Sequence, residues 1–324
     1  MGRPAGNPPL LGRNPLKFLT TIGETLVEIM ADTTGHGFAE PQPLTGPFPS
    51  GAPAIFAVQA ARLGQPTALI SAVGRDDFGR LNLDRLNADG VDTSAVALHP
   101  DLPTGTAFVR YRPDGNRDFV FNIRHSAAGA TRLTPAAMAV LARTDHLHVM
   151  GTSLFSPDLL QANLAAIDIV KGQGGTVSFD PNLRPELLGA PGMADTMRHI
   201  LRQTDLYLPS GPELTLLTAA QTAPEAVAEL LTLGPRVIVH KKGGAGASYH
   251  DPARTLHQPA FPVSEVDPTG AGDCFGATFV SLWLRRTDAA QALRLAAAAG
   301  ALAVTQRGPM EGAAPLARIT ALAG

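Results

Sequence analysis

His146-Leu147-His148-Val149-Met150 begins the stretch that decides the fold. From there to His240, short apolar runs alternate with segments of helical pattern. The runs are His146–Met150, Thr176–Asp180, Asp205–Leu208 and Arg236–His240, each the length of a buried strand. A parallel pair needs a crossover long enough to hold a helix, so this alternation predicts a mainly parallel sheet covered by helices on both faces.

Outward from that core, Phe18–Gly23 reads as the first strand, continuing through Leu26–Ile29. Gly and Pro break the chain from Ala31 to Ser50. A helix is predicted from Pro53, a residue suited to a first helical position, to Leu63, where Gly64 stops it. Ala68–Val73 is a buried strand, followed by a helix up to Gly90. Thr106–Arg112 and Arg117–Arg124 flank the turn sequence Pro113-Asp114-Gly115-Asn116. Phe119, Phe121 and Ile123 alternate with Asp118, Asn122 and Arg124, so the two runs form a hairpin. The end of the chain reads as helical, with Ala-rich turns through Leu293–Val304. The expected α/β architecture is one domain over 16–324, a three-layer body with a small β lid from about 30–50 and 99–126.

With 26 basic and 28 acidic residues in 324, the formal charge of -2 offers no electrostatic footprint for nucleic acid or an anionic membrane. The single cysteine, Cys274, excludes an intramolecular disulfide and a cysteine zinc cluster. No apolar run approaches the ~20 residues of a membrane span. Met1–Pro15 is rich in Gly, Pro and Arg without the apolar stretch of a secretory signal, so a flexible arm and a cytoplasmic location are expected.

The chemistry is concentrated in Asp267-Pro268-Thr269-Gly270-Ala271-Gly272-Asp273. Beyond it Phe275, Phe279, Leu282 and Trp283 share one helical face, so a loop of small residues feeds a helix N-terminus. Gly270 and Gly272 permit close backbone approach, and the first-turn N–H groups suit phosphate oxygens. A carboxylate there repels phosphate, but it is well placed to take the proton of an attacking hydroxyl. A lone Asp before a helix is more simply a cap; the heptapeptide as a whole favours catalysis.

That heptapeptide resembles the C-terminal signature of the PfkB/ribokinase-like carbohydrate kinases, among which the chain is most similar to fructokinase, 2-keto-3-deoxygluconate kinase and tagatose kinase members. The resemblance implies Asp273 as catalytic base and Gly270, Ala271 and Gly272 as the anion hole for the transferred phosphate. Asp267 and Thr269 correspond to positions bordering a monovalent-cation (K+) site in some members. Gly51-Ala52-Pro53 with Ala61-Arg62-Leu63-Gly64 resembles the N-terminal signature, whose glycine turn approaches the sugar, and Val73–Gly79 the next block. Glu28 lies where relatives grip sugar hydroxyls. In Asp180-Pro181-Asn182-Leu183-Arg184, the resemblance implies that Arg184 approaches substrate or phosphate. Ser210-Gly211-Pro212-Glu213 is similar to the family's Asn-x-x-Glu, which implies Glu213 at Mg2+ through water. Lys241, Gly243 and Gly246 fall on the ATP side. Phe108, Arg110, Phe121 and Arg124 either close over the sugar or pair with a second subunit's lid, since members of the family dimerise there.

Besides Ser210, which replaces the Asn of Asn-x-x-Glu, three positions depart from the pattern: Ser50 stands for the first glycine of the N-terminal signature, Ile55 for its sugar-binding Asn, and Ala297 for an Asn near the adenine pocket. They bear on substrate identity rather than reaction type. No Gly-x-Gly-x-x-Gly turn, Walker A segment or Gly-x-Ser-x-Gly elbow supports a dehydrogenase, P-loop kinase or hydrolase. The expectation is ATP- and Mg2+-dependent phosphorylation of a small sugar, a ketohexose before 2-keto-3-deoxygluconate. The rival of another class is a silent sugar- or nucleotide-binding regulator.

Overall fold

The computed structural model describes residues 16–114, 117–182 and 192–324. The expectations for the arm at 1–15, for Gly115 and Asn116 of the hairpin turn, and for Arg184 lie outside them. In chain order the strands are β1 (Leu19–Ile22), β2 (Leu26–Ala31), β3 (Leu44–Ser50), β4 (Thr67–Gly74), β5 (Val96–His99), β6 (Gly105–Tyr111) and β7 (Arg117–Asn122). The second half adds β8 (His146–Met150), β9 (Thr176–Asp180), β10 (Leu206–Tyr207), β11 (Val237–Lys241), β12 (Ala247–His250) and β13 (Thr255–Gln258).

Among the described residues these make a nine-stranded sheet, β13-β12-β11-β10-β9-β8-β1-β4-β5, and a four-stranded sheet, β3-β2-β6-β7. From β11 across to β5 every pairing in the large sheet is parallel, while β12 and β13 add an antiparallel edge. Both faces are covered. Helices Ala52–Arg62, Ala271–Leu284 and Ala289–Ala303 pack on one, and Pro135–Leu141, Pro157–Gly172, Met193–Gln203 and Ala223–Leu233 on the other. This is the three-layer arrangement that the strand–helix alternation predicts.

Three helices on the second face start at a hydroxyl followed within two residues by proline. Thr134, Ser156 and Thr222 each accept the N–H three residues on, at 3.2, 3.2 and 3.4 Å. Such caps satisfy an otherwise orphaned donor, while proline loses nothing there.

The expected continuation of β1 through Leu26–Ile29 is corrected by the structure. The chain leaves the large sheet after Ile22, and Leu26–Ala31 becomes β2, at the centre of the small sheet. Both runs are largely buried and mix apolar with polar residues, so their pattern carries no mark of the change of sheet.

Candidate active site

Parallel pairing sends the carboxyl ends of β1, β8, β9, β10 and β11 to one edge, where open α/β sheets hold ligands. Glu24, Thr152, Asn182, Ser210 and Lys241 follow or end those strands, and all line one cavity of about 520 Å³. The small sheet forms its other wall through Leu26, Glu28, Ser50, Arg117, Phe119 and Phe121. A second cavity, about 900 Å³, continues past Gly243, Gly246, Phe261 and Val304. The two share Ser210, Lys241, Pro268 and Gly272.

At that junction the helix Ala271–Leu284 begins. Gly270 caps it at φ 79°, and a Cβ there would meet the Pro309 carbonyl oxygen at 2.4 Å, so the left-handed turn and the close approach both require glycine. Phe275, Phe279 and Leu282 bury their face against the core and anchor the helix; each such burial stabilises by about 1.5–3 kcal/mol. The first-turn N–H groups have no partner within the helix and carry its positive dipole end. Asp273, in that first turn, is 8% exposed and lines the first cavity. Asn182, at φ 37°, donates its side-chain amide to Asp273 Oδ1 at 3.4 Å.

Lys241 is buried and ion-paired with Asp180. Burial pulls the ammonium down, but Asp180, Glu213 and Asp273 outweigh it and hold Lys241 above its ordinary pKa. Asp180 is pushed up by burial against the opposing pull of Lys241 and the Asn182 amide. On the small-sheet side, Glu28 accepts from Ser50 Oγ at 2.6 Å and Glu24 from Ser153 Oγ at 2.7 Å. Gly51, at φ 112°, lies so close to the Glu24 carbonyl that a Cβ would stand 2.3 Å from it.

The structure gathers most of the expected residues around the two cavities. Glu28, Gly51, Ala52, Phe121, Arg124, Thr269, Gly270, Gly272 and Asp273 line the first; Lys241, Gly243, Gly246, Ala271, Gly272 and Ala297 line the second. Phe108 and Arg110 it places elsewhere. Phe108 packs edge-on against Phe38, and Arg110 pairs with Asp118 at 2.8 Å. The reason is strand parity: Phe108 registers with Val120 and Arg110 with Asp118, whereas Phe121, on the cavity face, registers with Ala107. Glu213 lines neither cavity; its Oε2 accepts the Ser210 N–H at 2.6 Å from behind that turn. Asp267 is fully buried, its carboxylate accepting from Thr269 N at 3.0 Å, Thr269 Oγ1 at 2.7 Å and Gly308 N at 3.0 Å.

Sequence reasoning missed Glu24, Arg117, Phe119, Asn182 and the Asp180 partner of Lys241. The alternation holding Phe119, Phe121 and Ile123 includes Arg117 by the same period of two, so that signal was present. The Asp180–Lys241 contact spans distant strands and left none.

The pfkB family carbohydrate kinase model matches residues 16–316. The 2-dehydro-3-deoxygluconokinase of Thermoproteus tenax is 33% identical over 303 residues, 90% of each chain. An E. coli protein provisionally named ribokinase II, solved with ATP and Mg2+, is 46% identical with a TM-score of 0.91, over 95% of this chain and 99% of that one. A double mutant of Vibrio cholerae fructokinase, solved with fructose, ADP and a potassium ion, is 28% identical with a TM-score of 0.83, over 96% and 100%. A family match across nearly the whole sequence agrees with the ribokinase-like α/β fold and with the small-residue helix start between two cavities: this chain belongs to the pfkB family of carbohydrate kinases.

Proposed function

We propose that the protein transfers the γ-phosphoryl group of ATP to a primary hydroxyl of a ketohexose of the tagatose or fructose type, with Asp273 as general base. The observation that carries this reading is the position of Asp273, in the first turn of a helix whose start separates the two cavities. A sugar in the first cavity presents its hydroxyl to Asp273, which takes the proton as the oxygen attacks phosphorus. The bond from phosphorus to the leaving ADP oxygen breaks in line, and the N–H groups at Gly270–Gly272 gather the phosphoryl oxygens. Lys241 adds a buried cation at the same junction.

The second cavity suits a nucleotide. Side chains added at Gly211, Gly243 or Gly244 would meet open space there, leaving backbone accessible to phosphates. Among the described residues no cluster of three His, Cys, Asp or Glu is arranged for a metal. Glu213, whose carboxylate lies behind Ser210, would hold Mg2+ through water alongside the phosphate oxygens of the nucleotide. When bound it supplies charge neutralisation on the phosphates. A monovalent cation at Asp267 would have to share it with Arg117, whose Nη1 is 4.0 Å from Oδ1, and we assign it no step.

A second reading, a 2-keto-3-deoxy sugar acid, is favoured by Ile55. Its buried side chain lines the first cavity, where a hydroxyl pressed against it is desolvated without a partner but a deoxy carbon is not. Arg124 lines the same cavity and suits a carboxylate. We further read residues 16–324 as one catalytic domain with the small sheet as its lid. The exposed Leu44 and Val120 on its edge strands support pairing with the lid of a second copy. Phosphotransfer from ATP to a panel of ketohexoses, keto-deoxy acids and pentoses tests the proposal, with sedimentation for the dimer. Turnover of none, despite sugar and nucleotide binding, would favour a silent regulator.

A further inference from the structure

Arg117 lies on β7 of the small sheet, yet its guanidinium reaches across the cavity to the loop that opens the Ala271–Leu284 helix. Nη1 donates to Thr269 Oγ1 and stands 4.0 Å from Asp267 Oδ1. The Phe119 ring, 5.5 Å from the guanidinium carbon, supports it from its own strand. A hydroxyl has one proton and can accept others. The Thr269 hydroxyl uses both capacities, accepting from Arg117 and donating to Asp267 Oδ1 at 2.7 Å.

Asp267 then passes the connection on. Its other oxygen accepts from Gly308 N at 3.0 Å, and the next residue, Pro309, is the one whose carbonyl packs against Gly270. The Gly308 segment is itself tied to the small sheet. Arg307 bonds Asp32 at 2.6 Å, and a Cβ on Gly308 would lie 2.9 Å from the Phe48 ring of β3. Two separate crossings from the small sheet therefore converge on Asp267, three residues before the Gly270 cap of the helix.

We infer that Arg117 is a positioning residue: seated on Thr269, it couples the closed placement of the small sheet to the geometry of the Gly270–Asp273 turn. This rests on the reading of that turn as the phosphoryl site. Sugar held under the sheet would favour that closed placement, and the Arg117–Thr269 contact would carry it to the helix start. The role differs from that of a sugar ligand, because the contact is made to the protein's own loop.

The experiment compares the full-length protein with Arg117→Met, Arg117→Lys, Thr269→Val and the Arg117→Met/Thr269→Val double variant. Steady-state kinetics use the best sugar of the panel, and amide hydrogen exchange is followed over residues 269–274. Displacing catalytic groups by about 1 Å costs on the order of 100-fold, so Arg117→Met is expected to lower kcat by about 10–100-fold with sugar KM within about threefold. Exchange at 269–274 should quicken, Arg117→Lys should recover part of both effects, and the double variant should be no worse than the poorer single one. A raised KM with kcat intact would make Arg117 a sugar ligand and overturn the inference. So would unchanged exchange, or additive losses in the double variant. If Arg117→Met does not fold, Thr269→Val breaks the same contact from the other side. Should the parent phosphorylate no sugar, the reading of the site fails, while the exchange comparison still decides the coupling.

Discussion

The Lys241 ammonium, paired with Asp180 at the ends of β11 and β9, lies 3.6 Å from where a Cβ on Gly272 would stand. A buried cation is thereby lodged against the helix start, between the two cavities. Removing one partner of such a pair leaves an uncompensated buried charge. Lys241→Met is therefore expected to destabilise the fold by about 3–5 kcal/mol, measured by urea unfolding. Adding Asp180→Asn should restore much of that stability without restoring activity, since the cation at the junction stays missing.

Asp273→Asn keeps the shape of the helix start but removes the proton acceptor. Phosphotransfer should fall by about 10²–10⁴-fold, the usual scale of acid–base catalysis, with nucleotide affinity and melting temperature nearly unchanged. Ordinary turnover by this variant, in a coupled ADP-release assay, would end the assignment.

Gly270→Ala tests the cap. An L side chain in the left-handed region costs about 1–2 kcal/mol even before the contact with the Pro309 carbonyl is counted. The variant should melt at lower temperature and lose activity. A stable, fully active Gly270→Ala protein would contradict the φ of 79° at that residue.

A pH effect follows from the sheet interior. His146 bonds Thr176 Oγ1 at 2.7 Å and Ser178 Oγ at 2.8 Å, and His148 bonds the same Ser178 hydroxyl at 2.7 Å while stacking on Phe56. Burial brings His146 down to about 3, and burial with the neighbouring His146 lowers His148 well below its ordinary value. In the unfolded chain both titrate near 6.5. Between those values the unfolded state binds more protons, so the stability present above about pH 6.5 is lost as pH falls toward 3. His146 alone should remove about 2 kcal/mol by pH 5, read as a lower urea midpoint than at pH 7.5. A flat midpoint over that range would mean that the imidazole is not held neutral.

The parts of the molecule legible in the sequence were those set by local pattern. Apolar runs of strand length located β8 and β9 to the residue, and the small-residue heptapeptide placed a helix start with Asp273 beside it. Those signals are short-range because backbone sterics and hydrophobic period act within a few residues. The hairpin was legible too, but not the face it shows the cavity. That depends on which residues of β6 and β7 stand opposite each other, and register sent Phe108 and Arg110 outward while turning Arg117 and Phe119 inward.

The sequence by itself determined the α/β class, the helix start and the carboxylate in its first turn. Only the tertiary structure decided that Leu26–Ala31 belongs to the small sheet, that Asp180 pairs with Lys241, and that Arg117 reaches Thr269 across 152 positions of chain. Such contacts join segments remote in sequence, and their partners are chosen by how sheets pack and strands register, which no local pattern records.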